Sequence, residues 1–564
     1  MPAVGAKREG GRSRFLPIAV VIAAIGVFVV VGTLPPKPVL VSGANPALVA
    51  RTARGAIHVH TTRSDGLGDR SSVAAAARRA GLHFVVFTDH GDGMRPPDPP
   101  AYLDGVLCLD GVEISTDDGH YLAVGAGPSP FPLGGAGVSV VEDVRRLGGF
   151  GIAAHPTSKR RDLQWSDWSA PIDALEWLNA DSEWRNESRL QLALLLVPYL
   201  FRPAGALSRV LDRPETALLN WDDLIQQRRL LGIAGSDAHG GLGNRVEDPS
   251  HRWSMRIPSY EASFRAFSTN IQLDRPLTGD AAPDAARLVD MLKAGRFYTE
   301  IDAVATGATL EFTGRTREES VEQGSLLRGE GVATFRAHAM LPRAAVIVAY
   351  TNGEVVAESR TGTLDFQSDQ PGAHRVEVHV PGAPGSPPVP WLVSNPIFRL
   401  QPPAKAPAPA ASVVGPLKLP AWRLEKDEGS QGTVRTNEAG GAEFAYKLRD
   451  GARASQFVAL VTDVSDPPLF EAVTFSVRST APRRLSLQLR FARDADARWG
   501  KSVYVDATSR VVTVPVEQLR RADGPPARPP VQRATSLLFV VDLTNAAPGD
   551  AGQIEIGGVG LVSR

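Results

Sequence analysis

The chain has 564 residues, too many for one hydrophobic core, and a usual domain size of roughly 150 residues predicts three or four units. Its 61 basic and 61 acidic side chains cancel, which excludes the global basic excess that grips a polyanion such as duplex DNA. A single cysteine, Cys108, excludes an intramolecular disulfide; it lies in the apolar run GVLCLDGVEI, where a buried, unreactive thiol is expected.

Residues 1–14 carry Lys7, Arg8, Arg12 and Arg14, and Phe15 to Leu34 then runs 20 residues without a charge. That length matches a hydrocarbon core of about 30 Å at about 1.5 Å per residue. The pattern predicts a membrane anchor at 15–34 with the N-terminus cytoplasmic, which puts the bulk of the protein on the periplasmic or extracellular side. The alternative is secretion after signal cleavage, but VVVGTLPPKP offers no good small-x-small cleavage site. Residues 35–54 read as a spacer.

From Gly55 short apolar strands alternate with helical stretches. AIHVH is a strand; SSVAAAARRAG is a helix with Ser71 or Ser72 as N-cap and Gly81 as stop; LHFVVFT is a buried strand. VSVVEDVRRLGG is helical, FGIAA and IDALEWL are strands, RLQLALLLVPYL and NWDDLIQQRRL are helical, and LGIAGS is a further strand. Such alternation over about 250 residues predicts an α/β fold with parallel strands, a barrel or an open doubly wound sheet. After Asp302 the pattern turns to alternating strands, with Asn352-Gly353 as a hairpin turn, so 303–401 reads as a small β-sandwich. The run 402–415 is a Pro/Ala linker, and 416–564 reads as a second sandwich or jelly roll.

The polar residues fall in a pattern on those strands. His58 and His60, two apart, share one face of their strand, and Asp65 follows in the next loop. His90, His155 and the Asp237/His239 pair each follow an apolar strand, while Glu113 and His120 flank a short segment between two others. In parallel α/β folds such strand ends converge on one face, where active sites form. Six imidazoles and three carboxylates are too many for one zinc and suit two or three metals; without a thiolate they favour Zn²⁺, Mn²⁺ or Fe²⁺. The expected chemistry is metal-assisted hydrolysis, the catalytic group being a water held by the metal ligands.

HVHTTRSDG, FTDH, GVEISTDDGHYLAVG, AHP and GSDAH, in this order, resemble the successive motifs of the PHP (polymerase and histidinol phosphatase) superfamily. The resemblance covers about 55–302 and implies a distorted (β/α)7 barrel with a trinuclear centre. It implies that His58, His60, Glu113 and Asp237 hold one metal. Glu113 would bridge to a second metal held by His120 and His155, and Asp65, His90 and His239 would hold the third. GRFYTEIDAVATGATLEF and PWLVSNPIF are similar to the carbaryl-hydrolase branch. The C-terminal sandwich resembles the jelly rolls of carbohydrate-binding modules, which makes glycan contact an expectation; Trp422 and Trp499 read as core rather than as sugar platforms.

PHP activities are mostly phosphoester hydrolysis, so the leading expectation is a phosphoesterase for small phosphoesters or nucleotides. Arg160, Arg161 and Arg185 are the candidate phosphate contacts. A carboxylic or carbamate ester hydrolase is the alternative, and it needs an apolar pocket, with Trp165, Trp168, Trp177 and Trp184 as candidates. A non-catalytic envelope protein that binds glycan is the third reading.

Overall fold

A computed structural model describes residues 20–21, 31–43, 45–243, 254–400, 412–416, 421–436, 441–451, 455–464, 467–491, 494–521 and 528–563. Seven strands frame the candidate site: β1 (Thr52–Val59), β2 (Phe84–Phe87), β3 (Val106–Thr116), β4 (Gly119–Val124), β5 (Phe150–Ala153), β6 (Ala174–Asn179) and β7 (Leu231–Gly235). Neighbours in this order pair along one sheet. The sheet curls until β7 meets β1 again, where Ser236 N donates to Ile57 O at 2.9 Å and His60 N to Ala238 O at 3.0 Å. The alternation predicts parallel strands throughout, but the pairing is mixed. β3/β4 is antiparallel because a two-residue turn at Asp117-Asp118 leaves no room for a crossover helix, and β4, so reversed, also runs antiparallel to β5.

The helix between β1 and β2, α1 (Arg70–Arg79), starts two or three residues earlier than expected. Asp69, not Ser71 or Ser72, is its cap: the carboxylate accepts from Ser72 N at 2.8 Å. Gly81, with φ 79°, closes it as its sequence position suggests.

On the other side of β1 the sheet continues through β8 (Ser268–Gln272), which pairs antiparallel with β1, and β9 (Phe297–Glu300) into strands of the 303–401 segment. Phe297–Glu300 pairs with Leu392–Ser394, which leads on to Gly372–His379 and Val346–Thr351. One hydrophobic core holds Ile57 and Trp177 together with Phe335, Val376 and Trp391. These strands therefore extend the first unit instead of forming a free-standing sandwich. Arg375 adds a polar tie: its guanidinium grips Asp222 through two bonds, 2.8 and 3.0 Å, and also pairs with Glu377. The 35–54 segment is likewise packed: Val39–Leu40 pairs with Ala305–Thr306, and Leu48 is buried. The C-terminal residues form two six-stranded sheets around a core of their own, in which Trp422 and Trp499 are buried.

The membrane anchor is not supported. No helix among the described residues is long and apolar enough to cross a membrane. The longest, Ala281–Ala294, has 14 residues and carries Asp284, Arg287, Asp290 and Lys293, against roughly 20 apolar residues needed for a span. The run 15–34 itself lies outside the described residues except for 20–21 and 31–34. The anchor, the membrane as partner and the periplasmic or extracellular placement drawn from them are therefore dropped.

His374 makes the extended sheet acid-sensitive. It is fully buried, 2.9 Å from Thr351 Oγ1 through Nδ1, with its ring centroid 4.1 Å from that of Phe335. Burial, helped by Arg399, pushes its pKa down to about 4. Below pH of about 6.5 the unfolded chain binds a proton that the folded chain refuses, so stability falls as pH drops from 6.5 towards 4. The shift corresponds to about 3 kcal/mol. Melting curves across this range should show a flatter acid slope in His374→Gln than in the parent; equal slopes would remove His374 as the cause.

Candidate metal centre

The nine residues expected as ligands come together at one mouth of the curled sheet. Glu113, on β3, is the hub. Its Oε2 lies 3.3 Å from His58 Nε2, 3.2 Å from His60 Nε2 and 3.3 Å from His90 Nδ1. Its Oε1 lies 2.7 Å from His120 Nδ1 and 3.0 Å from His155 Nε2. Asp237 Oδ1 faces the Nε2 atoms of His58 and His60, each at 3.3 Å. Asp65 closes the outer side, 3.1 Å from His239 Nε2 and 3.6 Å from His90 Nε2. The donor atoms form overlapping triads, among them His58/His60/Glu113, His60/Asp65/His90 and His90/Glu113/His120.

The backbone is bent to achieve this convergence. His58, His155 and Asp237 have φ of 65°, 32° and 46°, a region that non-glycine residues rarely enter. At His58 the bend shifts the β1/β2 register between Ala56 and Val59, which turns its imidazole inward beside that of His60.

Electrostatics bind the cluster together. Burial would lower the His58 pKa, but Asp237, Glu176 and Glu113 outweigh it and hold it well above the usual imidazole range. Burial would raise the Glu113 carboxyl, but His58, His120 and His155 hold it well below the usual carboxylate range. The carboxylates thus call for positive charge in their midst. The donor set fits divalent metal ions. Nε2 of His58 and of His60 is buried without a hydrogen-bond partner, and each points at carboxylate oxygens of both Glu113 and Asp237. No thiolate contributes: Cys108 is buried elsewhere, and burial pushes its thiol up to about 11. The cluster is a multinuclear metal-binding site; the nitrogen and oxygen donors leave the identity of the metal open.

Two supporting carboxylates were not singled out from sequence. Glu176, on β6, accepts from His58 Nδ1 at 2.7 Å, from His155 N at 2.7 Å and from Asn179 Nδ2 at 2.8 Å. It fixes the His58 proton on Nδ1, which leaves Nε2 free as a donor atom, and it pins the bent backbone at His155. Gly235 makes room for it: a Cβ there would fall 1.8 Å from Glu176 Oε1. Asp89 accepts from Thr61 N and Ser64 Oγ, both at 2.7 Å, and so anchors the loop leading to Asp65. The available signals were a lone charge in the apolar run ALEWLN and the carboxylate immediately before His90 in FTDH.

The expected cations lie further out. Arg160 is exposed and paired with Asp162 at 2.5 Å, and Arg161 is exposed. Arg185 pairs with Asp181, within electrostatic reach of Asp237 and Asp65. Of the four candidate tryptophans, Trp184 reaches a cavity beside the cluster, whereas Trp165 and Trp177 are buried in the core and Trp168 lines a different cleft. The cavity holds about 40 Å³ and runs from Asp237 and His239 to Trp184, Leu207, Val210, Leu211 and Ala266.

No family model and no curated protein matches the chain. Among solved structures, a Bifidobacterium adolescentis protein named only provisionally as a metal-dependent phosphoesterase is 18% identical, with a TM-score of 0.23, over 35% of this chain and 93% of its own. The family 11 carbohydrate-binding module of Clostridium thermocellum Lic26A-Cel5E is 15% identical, with a TM-score of 0.21, over 27% of this chain and 95% of its own.

Proposed function

We propose that the chain is a metal-dependent hydrolase of carboxylic or carbamate esters. The observation that carries this reading is the apolar cavity against Asp237 and His239, in a site whose neighbouring arginines are exposed or already paired. Its walls suit a small apolar substituent on an ester better than a phosphate. The order of the motifs, with its likeness to the PHP superfamily, supports the hydrolase class.

Divalent ions bound by these ligands supply Lewis acidity, which polarises a carbonyl and lowers the pKa of water. The chain's own residues divide the remaining work. His58, His60 and Glu113, whose side chains are 0–1% exposed, form the closed floor, while Asp65 at 41% and His90 at 36% form the open rim where substrate enters. Trp184 and Leu207 receive the apolar substituent and so orient the carbonyl towards the rim. Burial around the floor excludes bulk water from the donor atoms.

The test is hydrolysis by the purified chain, stripped of metal and then given Zn²⁺ or Mn²⁺. Substrates are 1-naphthyl N-methylcarbamate, p-nitrophenyl acetate, p-nitrophenyl phosphate and bis-p-nitrophenyl phosphate. Metal-dependent turnover of the carbamate or acetate, absent in His58→Ala, is the expected result. Turnover confined to the phosphoesters would overturn the ester reading while keeping the metal centre.

A further inference from the structure

The C-terminal unit docks on one side of the metal centre. On the strand Arg483–Phe491, Leu485, Leu487 and Leu489 face that unit's own core, so Arg484 faces the other way. It meets the helix Gly137–Arg146, donating to both carboxylate oxygens of Asp143 at 2.8 Å and to Ser139 O at 2.7 Å. The side chains of Arg484 and Asp143 are each 1% exposed, so solvent does little to screen the pair. Arg520 reaches two carboxylates at once: Nη2 lies 2.7 Å from Asp167 Oδ2, and Nη1 lies 3.4 Å from Asp118 Oδ1. Asn545 Nδ2 donates to Pro132 O at 3.0 Å and to Gly134 O at 3.3 Å.

These ties end on the two segments that carry His120 and His155. Asp118 stands in the turn between β3 and β4, two residues before His120. Its Oδ2 accepts from Gly137 N at 2.8 Å, at the start of the helix that Arg484 grips, and its Oδ1 accepts from Ser166 Oγ at 3.1 Å. Asp117 N donates to Gly135 O at 2.8 Å, beside the backbone that Asn545 holds. The other segment begins at His155, whose Nδ1 lies 3.2 Å from Leu163 O. A carbonyl only accepts, so the proton sits on Nδ1 and leaves Nε2 facing Glu113 Oε1 at 3.0 Å. Four residues beyond Leu163 stands Asp167, the anchor for Arg520, and between them Ser166 N donates to Asp118 O at 2.8 Å. Turn and segment touch at Gly119, φ 110°, where a Cβ would fall 2.7 Å from Gln164 O.

We infer that the C-terminal unit is a working part of the metal centre, with Arg520 and Arg484 as positioning residues for His120 and His155. These two imidazoles share one oxygen of the hub, Glu113 Oε1, at 2.7 and 3.0 Å. A ligand has to be held within about 0.5 Å of its working place, and side chains on a tight turn and a loop depend on outside support for that. Arg520 supplies it by joining the turn and the loop through Asp118 and Asp167; Arg484 supplies it by fixing the helix whose first N–H holds Asp118. The carboxylates that back other ligands, Glu176 behind His58 and Asp89 behind the Asp65 loop, bond to residues of the metal-site unit itself. The C-terminal unit therefore bears on one pair of ligands and not on the whole cluster. The inference rests on the metal centre and not on which ester is cleaved, and its readout is metal binding, not turnover.

Arg520→Ala is the direct test, because the side chain is 42% exposed and its removal spares the core. Zn²⁺ binding to the full chain is followed by competition with a chelator. One step of the isotherm should weaken by about tenfold, the lower end of what a metal site loses with an outer support, while the other steps match the parent. Arg520→Lys keeps the charge and should lie closer to the parent than the alanine variant. Arg484→Met cuts the buried tie and should weaken the same step. Arg478→Ala removes an exposed pair with Glu555 inside the C-terminal unit and should weaken none. A melting transition of Arg520→Ala matching the parent's separates positioning from folding. Parental Zn²⁺ binding in Arg520→Ala, equal weakening of every step, or a lysine variant as weak as the alanine one would overturn the inference.

Discussion

Glu113→Gln should abolish metal-dependent hydrolysis while leaving the chain folded. One carboxylate here lies within 3.3 Å of ring nitrogens from five histidines, His58, His60, His90, His120 and His155. An amide keeps the volume but loses the charge that holds those imidazoles around divalent ions. It also presents a donor where an acceptor is required. Losing Lewis-acid assistance of about 4 kcal/mol corresponds to roughly a 10³-fold fall in kcat/KM. The measurement is steady-state hydrolysis of the best ester with metal added back, alongside circular dichroism. Activity within tenfold of the parent would show that Glu113 is not the hub.

The second large effect is expected at a residue outside the ligand set. Glu176→Ala removes the acceptor for His58 Nδ1 and for the His155 backbone N–H. His58 can then place its proton on Nε2, the atom required for the metal, and the strained backbone at His155 loses its clamp. Metal affinity, read by competition with a chelator, should weaken by about 10–100-fold. Glu176→Gln should retain part of it, since its carbonyl oxygen still accepts from Nδ1. Gly235→Ala should reproduce the alanine defect by displacing the carboxylate. Full affinity in Glu176→Ala would reduce this residue to packing.

The residues at the metal centre were legible because their chemistry and spacing are unusual together. Paired histidines in HVH, and further imidazoles and carboxylates at the ends of apolar strands, point to one mouth from their spacing alone. Glu176 was harder to see: its role depends on β6 lying beside both β5 and β7, a tertiary fact that leaves one charge in an apolar run as its trace. The strands after Asp302 read as a separate sandwich because alternation reveals a half-buried strand but not its partner. Pairing of Leu392–Ser394 with Phe297–Glu300 places them in the first unit. The charge-free run 15–34 has the length of a span, yet length and apolarity do not fix what a segment does, and no described helix supports that reading. Arg160 looked like a phosphate contact from its place just after AHP, whereas Asp162, two residues away, is its partner.

The most direct test of the multinuclear centre is the metal content of the purified chain, by inductively coupled plasma mass spectrometry after growth in metal-replete medium. The arrangement of Glu113 among five imidazoles, with Asp65 and Asp237 on either side, predicts two or three divalent ions per chain, falling to one or none in Glu113→Gln. A parent protein that holds no divalent ion, or a variant that keeps the full complement, would contradict it.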